Sequence, residues 1–261
     1  MSGGDGAAAG AGPAAASGRA GTAAAREAPG AAGAGPAAAW GAAGQPTTTL
    51  LLRHGATEFS AERRFAGRGD VALTSEGRNQ AGLAAQRLAA GGGIDVVVTS
   101  PLQRARHTAE AVAEATGAPL IVDDGLVEAD FGAWEGLTFA EARERWPDEL
   151  AAWMASPDAA PPDGESFAMV ALRVLASADK VIEAHRHARA VLVSHVTPIK
   201  TLVCRALLAP PEAMFRMNLD VASLTRIDCY DNGTAVLRSL NDTAHLNPPP
   251  PRRRRLGWIW R

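Results

Sequence analysis

The chain has 261 residues, a formal net charge of −2 and two cysteines, Cys204 and Cys229. Two cysteines supply neither a disulfide framework nor metal-ligand spacing, so both read as ordinary buried thiols of a reducing compartment. Five arginines, Arg252–Arg255 and Arg261, lie in the last ten residues; the remainder is seven charges negative, which argues against nucleic acid as a partner of the core.

Residues 1–46 are almost entirely Ala, Gly, Pro and Ser, with Trp40 the only aromatic side chain. They predict a disordered linker, because they cannot bury enough apolar area to offset chain entropy. The run lacks the Leu-rich stretch and early basic residues of a secretory signal, and no uninterrupted apolar segment reaches membrane-spanning length, so a cytoplasmic location is expected.

Residues 47–246 are enough for one α/β domain. Short apolar strands are expected at Thr48–Leu52, Asp95–Thr99, Leu120–Val122, Ala190–Ser194, Ser223–Cys229 and Ala235–Leu237. Helical patterns separate most of them. Thr74 or Ser75 caps a helix running to about Ala90 and stopped by Gly91–Gly93; Ser100-Pro101 supplies a cap and first-turn proline for a helix ending before Gly117. Ser166 starts a long helix with Phe167, Val170, Val174, Ala178 and Val181 on one face, and a further helix follows His195. Strands alternating with helices predict a three-layer sandwich, a mainly parallel central sheet with helices on both faces. Residues 247–261, four prolines and four arginines followed by Trp258 and Trp260, predict a disordered tail. Adhesion of that tail to an anionic membrane surface is the weaker reading.

The chemistry begins where the first strand runs into Arg53-His54-Gly55-Ala56, a possible nucleophile beside a cation. Strand C-terminal ends are where open α/β sheets place their sites. On its own, His54 is as readily a structural histidine. Two other strand ends carry Ser100–Arg104 and Ser194-His195, so residues distant in sequence can meet in one pocket. Arg104, in the first turn of its helix, is a phosphate-clamp candidate, because a helix N-terminus favours an anion and a guanidinium fork matches phosphate oxygens. Arg106 reads as a solvated arginine and His107 as packing or surface. Two histidines and two arginines suit the spread charge of a transferring phosphoryl group.

Taken together, Leu52-Arg53-His54-Gly55-Ala56-Thr57, Gly67-Arg68-Gly69-Asp70 with Leu73-Thr74, Ser100-Pro101-Leu102 with Arg104-Ala105, Glu128 with Phe131–Gly136, and Ser194-His195 resemble the histidine phosphatase, or phosphoglycerate mutase-like, superfamily. Within it, the chain is similar to the acid phosphatase domain of actinobacterial bifunctional ribonuclease H/acid phosphatase proteins and to α-ribazole phosphatase. The resemblance implies a metal-independent histidine acid phosphatase, needing no cofactor, that hydrolyses a small phosphorylated metabolite through a phosphohistidine at His54. It places Arg53, Arg104 and His195 in the phosphate pocket and makes Glu128 the proton donor. From physical chemistry alone Glu135 is an equal rival acid. Thr57 and Ser60 stand within reach of the phosphate, Ser60 where many relatives have asparagine, and Gly67 belongs with the substrate-binding residues. Glu165 matches a position near the substrate entrance, although helix capping explains its segment nearly as well. Val196 replaces a glycine common after the second histidine and narrows the pocket. The alternatives are phosphoglycerate mutase-type transfer and a catalytically silent phosphate-binding module. Oligomeric state has no signature in the sequence.

Overall fold

Alternation along the strands sorts the core into two halves. In β1 (Thr47–Arg53), β2 (Val96–Thr99) and β4 (Arg189–Ser194), Leu51, Val96, Val98 and Leu192 point to one face, while Leu50, Leu52, Val97, Val191 and Val193 point to the other. A computed structural model describes residues 44–247. The linker expected over residues 1–46 and the tail expected over residues 247–261 lie outside the described residues, apart from residues 44–46 and 247.

Six strands form one sheet in the order β3-β2-β4-β1-β5-β6, with β3 at Leu120–Val122, β5 at Leu224–Cys229 and β6 at Ala235–Asp242. The first four are parallel, β5 runs antiparallel to β1, and β6 returns as a hairpin, so the sheet is mixed. Between β1 and β2 lie the short α1 (Glu58–Ala61) and α2 (Ser75–Gly91); α3 (Gln103–Thr116) joins β2 to β3. The long connection to β4 holds α4 (Phe139–Arg145), α5 (Pro147–Ala155) and α6 (Phe167–Ala184), and α7 (Val196–Leu207) follows β4. Helices α2 and α3 cover the Leu50 face, through Ala84, Ala85, Leu88, Ala105, Ala109 and Val112. Helices α6 and α7 cover the Leu51 face, through the expected Val170–Val181 stripe and Ile199, Leu202 and Val203. That is the expected three-layer sandwich.

Two expectations need correction. The third helix starts at Gln103, without a side-chain cap from its N-cap residue Leu102. Ser100 instead closes a tight turn by accepting the Leu102 N–H at 3.3 Å, and Asp70, from a distant loop, accepts the Gln103 N–H at 2.7 Å. The anion that meets this helix end is therefore a side chain of the protein. Helices α4 and α5 were not expected at all. Their signals are local: Thr138 and Glu141 form a capping box, and Pro147 opens α5. They bring Trp153 against Phe65, Phe131, Trp134 and Phe167, with ring centroids 4.7–6.4 Å apart.

Candidate active site

The strand order makes β2, β4 and β1 consecutive neighbours, so their C-terminal ends place Ser100–Arg104, Ser194-His195 and Arg53-His54 side by side. Backbone bonds tie these ends together: the His54 N–H donates to Ser194 O and the Ser100 N–H to Val193 O, both at 3.1 Å. The turn after His54 lies directly on the start of α2. A Cβ at Gly55 would sit 2.2 Å from the Gly77 carbonyl oxygen, so only glycine permits the approach.

His54 and His195 are buried, 4% and 0% exposed, with ring centroids 5.1 Å apart. Nδ1 of His54 lies 2.8 Å from the Gly55 carbonyl oxygen. A carbonyl can only accept, so the proton sits on Nδ1 and the lone pair on Nε2. His195 Nε2 lies 2.8 Å from Ser100 Oγ. Burial first, then the charges of Arg53 and Arg104, holds the His54 pKa well below its ordinary value; burial and Arg104 do the same for His195. Both imidazoles are neutral at pH 7.

Arg104 is fully buried and donates to the carbonyls of Ala66, Gly67 and Gly69 at 3.1, 2.8 and 2.7 Å. Glu135 holds that loop from the other side by accepting the N–H groups of Gly67 and Gly69 at 2.8 and 3.2 Å. Arg53 donates to Leu219 O at 2.5 Å. Three nitrogens of the cluster, Arg53 Nε, Arg104 Nε and His195 Nδ1, are buried without a hydrogen-bond partner among the described residues. A buried unsatisfied group costs about 1–3 kcal/mol, and a charged one more, so three around one histidine mark a place organised for something other than stability.

Glu128, 4% exposed, lies across from the histidines on the segment after β3. Its Oε1 accepts from the Ala129 N–H at 2.8 Å and the Thr197 N–H at 3.2 Å, and its Oε2 from the Val196 N–H at 3.0 Å. The first turn of α7 thus holds the carboxyl by N–H groups that have no partner within the helix. Behind it, Arg173 of α6 donates to the carbonyls of Gly125, Val127 and Glu128 and pairs with Glu165 through two hydrogen bonds.

A cleft of about 270 Å³ opens over these residues, with Arg53, His54 and Glu128 in its lining. Thr57, Ser60 and Val196 line it too, but the two hydroxyls are engaged with each other's backbone in a capping box. Gly67 and Glu165 do not line the cleft. A Cβ at Gly67 would meet Ala129 O at 2.6 Å, so that glycine lets its loop pack, and Glu165 is committed to Arg173, Arg68 and the Asp130 N–H. Arg104 and His195 also lie off the cleft surface, buried against His54. Glu135, unlike Glu128, is absent from the lining.

The sequence profile described as the histidine phosphatase superfamily (branch 1) matches residues 49–243, which span every strand but the first residues of β1. The chain belongs to the histidine phosphatase superfamily. It is 49% identical over 201 residues to a bifunctional protein of Mycobacterium tuberculosis, a match covering 77% of this chain and 55% of that protein; the chain spans about half the length of such mycobacterial relatives. It is 32% identical to phosphoserine phosphatase 1 of Hydrogenobacter thermophilus, covering 76% of this chain and 93% of that one. Among solved structures, an Escherichia coli protein described as a putative alpha-ribazole-5'-P phosphatase superposes with a TM-score of 0.68 at 29% identity, covering 76% of this chain and 97% of that one. Among the described residues, no helix is long and apolar enough to cross a membrane.

For a histidine phosphatase, the cleft has a wall that the motifs did not reveal. Phe131, Trp153, Phe167, Met214 and Phe215 form it, and two cations, Arg64 and Lys200, border it. Arg64 is engaged with Glu62, Glu141 and the Gly136 carbonyl, whereas Lys200 makes no hydrogen bond or ion pair among the described residues. Spacing was the available signal: Lys200 follows the cleft residue Val196 by four, on the same face of α7.

Proposed function

We propose that this chain is a phosphomonoesterase that hydrolyses a small phosphorylated metabolite through a phosphohistidine at His54. The observation that carries the reading is the Nδ1–Gly55 carbonyl contact, which leaves the Nε2 lone pair of a neutral, buried imidazole free on the cleft side. Nε2 attacks phosphorus and the ester P–O bond breaks. Glu128 gives its proton to the departing oxygen, then takes a proton from the water that attacks phosphohistidine, and inorganic phosphate and free His54 result. Arg53 and Arg104, with His195 Nδ1–H, stabilise charge on the transferring group. Phosphate-monoester hydrolysis needs roughly 20 kcal/mol of barrier lowering, on the scale that covalent catalysis with a dense cationic pocket supplies. We place the reaction in the cytoplasm and classify the enzyme as an acid phosphatase, since a histidine that stays neutral on acidification keeps its nucleophile.

Only 23 residues separate Arg104 from Glu128, too short for an insertion that encloses substrate for return transfer, which favours hydrolysis over a mutase. The test is His54→Ala, with hydrolysis of p-nitrophenyl phosphate and trapping of an acid-labile phosphoenzyme from labelled substrate. Loss of both supports the reading; turnover retained by the variant overturns it.

A further inference from the structure

The phosphoryl end of the cleft is already supplied with cations by Arg53 and by the buried Arg104. Lys200 adds another, one turn beyond Val196 along α7, in the same cleft lining as the aromatic wall. Burial lowers its pKa, so an ammonium kept in this half-buried position without an ion-pair partner is costly unless a ligand pairs with it. Glu128 is the carboxylate nearest to it electrostatically, yet both Glu128 oxygens are engaged by backbone N–H groups. The aromatic wall, Phe131, Trp153, Phe167 and Phe215, matches an apolar skeleton rather than a polyol.

We infer that Lys200 is a specificity-determining residue, and that the leaving alcohol is an apolar, ring-sized body carrying a second anionic group that pairs with the Lys200 ammonium. This rests on the phosphatase reading and deepens it: the phosphomonoester lies with its phosphoryl group at His54, its skeleton on the aromatic wall and its second anion at Lys200.

The experiment compares two esters of one shape, 3-carboxyphenyl phosphate and its neutral isostere 3-carbamoylphenyl phosphate, on wild-type enzyme, Lys200→Met and Lys200→Arg. Wild type is expected to favour the carboxylate ester in kcat/KM by about tenfold, the scale of one charge-assisted hydrogen bond. K200M is expected to bring the two values together, and K200R to keep the preference. Equal wild-type values overturn the inference while leaving the phosphatase reading intact. So does a K200M loss of the same factor on both esters, since Lys200 would then act on the phosphoryl group they share. Failure of wild type to hydrolyse either ester overturns the phosphatase reading, and the inference with it.

Discussion

Arg173 donates to the main-chain oxygen of Glu128 at 2.9 Å, while the carboxyl of the same residue is held by the N–H groups of α7. The guanidinium also takes the carbonyls of Gly125 and Val127, at 3.0 and 2.6 Å, and is itself oriented by Glu165. Burial alone would raise the Glu165 pKa, but Arg173, the Asp130 N–H and Arg68 hold it at about 2. A permanently charged pair therefore fixes the backbone that carries the candidate acid.

Arg173→Met is accordingly expected to act through the leaving group. For an alkyl phosphate, whose alkoxide needs a proton, kcat/KM falls about tenfold to a hundredfold, within what a positioned acid contributes. For p-nitrophenyl phosphate, whose phenolate leaves unaided, the loss stays below about threefold. Arg173→Lys recovers part of the difference. Equal losses on both esters would reduce Arg173 to a support of the fold.

Glu135→Ala frees both N–H groups that anchor the loop beneath Arg104. The expected result is weaker binding of the phosphoryl group, seen as a rise of about tenfold in the inhibition constant for vanadate, with the leaving-group dependence of kcat unchanged. A change in that dependence would instead return Glu135 to the role of acid.

The two histidines set the response to acid. With the His54 pKa well below 6.5, kcat/KM shows no protonation limb between pH 7 and pH 6, where an ordinary histidine would lose about half its nucleophile or more. Stability moves the other way. Unfolded histidines take up protons near pH 6.5 while the buried ones do not, so stability present above that value is lost as pH falls toward the folded values, by about 1.4 kcal/mol per proton per pH unit. The carboxylates of Glu165 and Asp242, both held at about 2, add a further loss below their ordinary values. His54→Ala removes one of these uptake sites, His245 with its lowered pKa being another, and its Tm should fall less steeply than wild type from pH 6.5 to pH 5.

Gly77→Ala tests the contact under the His54 turn. The added Cβ lies 2.0 Å from the Ala56 carbonyl oxygen, backbone against backbone, so α2 must move or the turn must open. Destabilisation of about 1–3 kcal/mol is expected in denaturant titration, with a loss of activity beyond the unfolded fraction. A variant as active and as stable as wild type would show that the turn yields freely.

Sequence made the framework legible where one physical rule dominates. Strands buried on both faces read as short apolar runs, and the α6 stripe reads from its 3.6-residue period, because burial leaves those positions little choice. Arg53, His54 and Glu128 were legible from motif order, and the structure sets all three on one cleft. Position in space was harder to read. Ser100 looks like a helix cap and instead shapes a turn and meets His195; Glu165 looks like an entrance residue and is consumed by Arg173. Ser100 depends on a partner 95 residues away, and Glu165, besides Arg173 eight residues on, on Arg68, 97 residues away, which local spacing does not encode. Helices α4 and α5 were missed although Thr138, Glu141 and Pro147 announced them, because between them they bury only Ala142, Leu150 and Trp153, too few positions for a helical period to show.

The cleft divides by origin. Its proposed chemistry falls to strand ends, the Glu128 segment and the first turn of α7, whereas its aromatic wall, Phe131 of that segment apart, comes from α5, the start of α6 and the 3-10 turn Pro211–Arg216. Descendants of this chain could exchange the wall piece by piece, and so drift from one leaving group to another, without passing through an inactive ancestor.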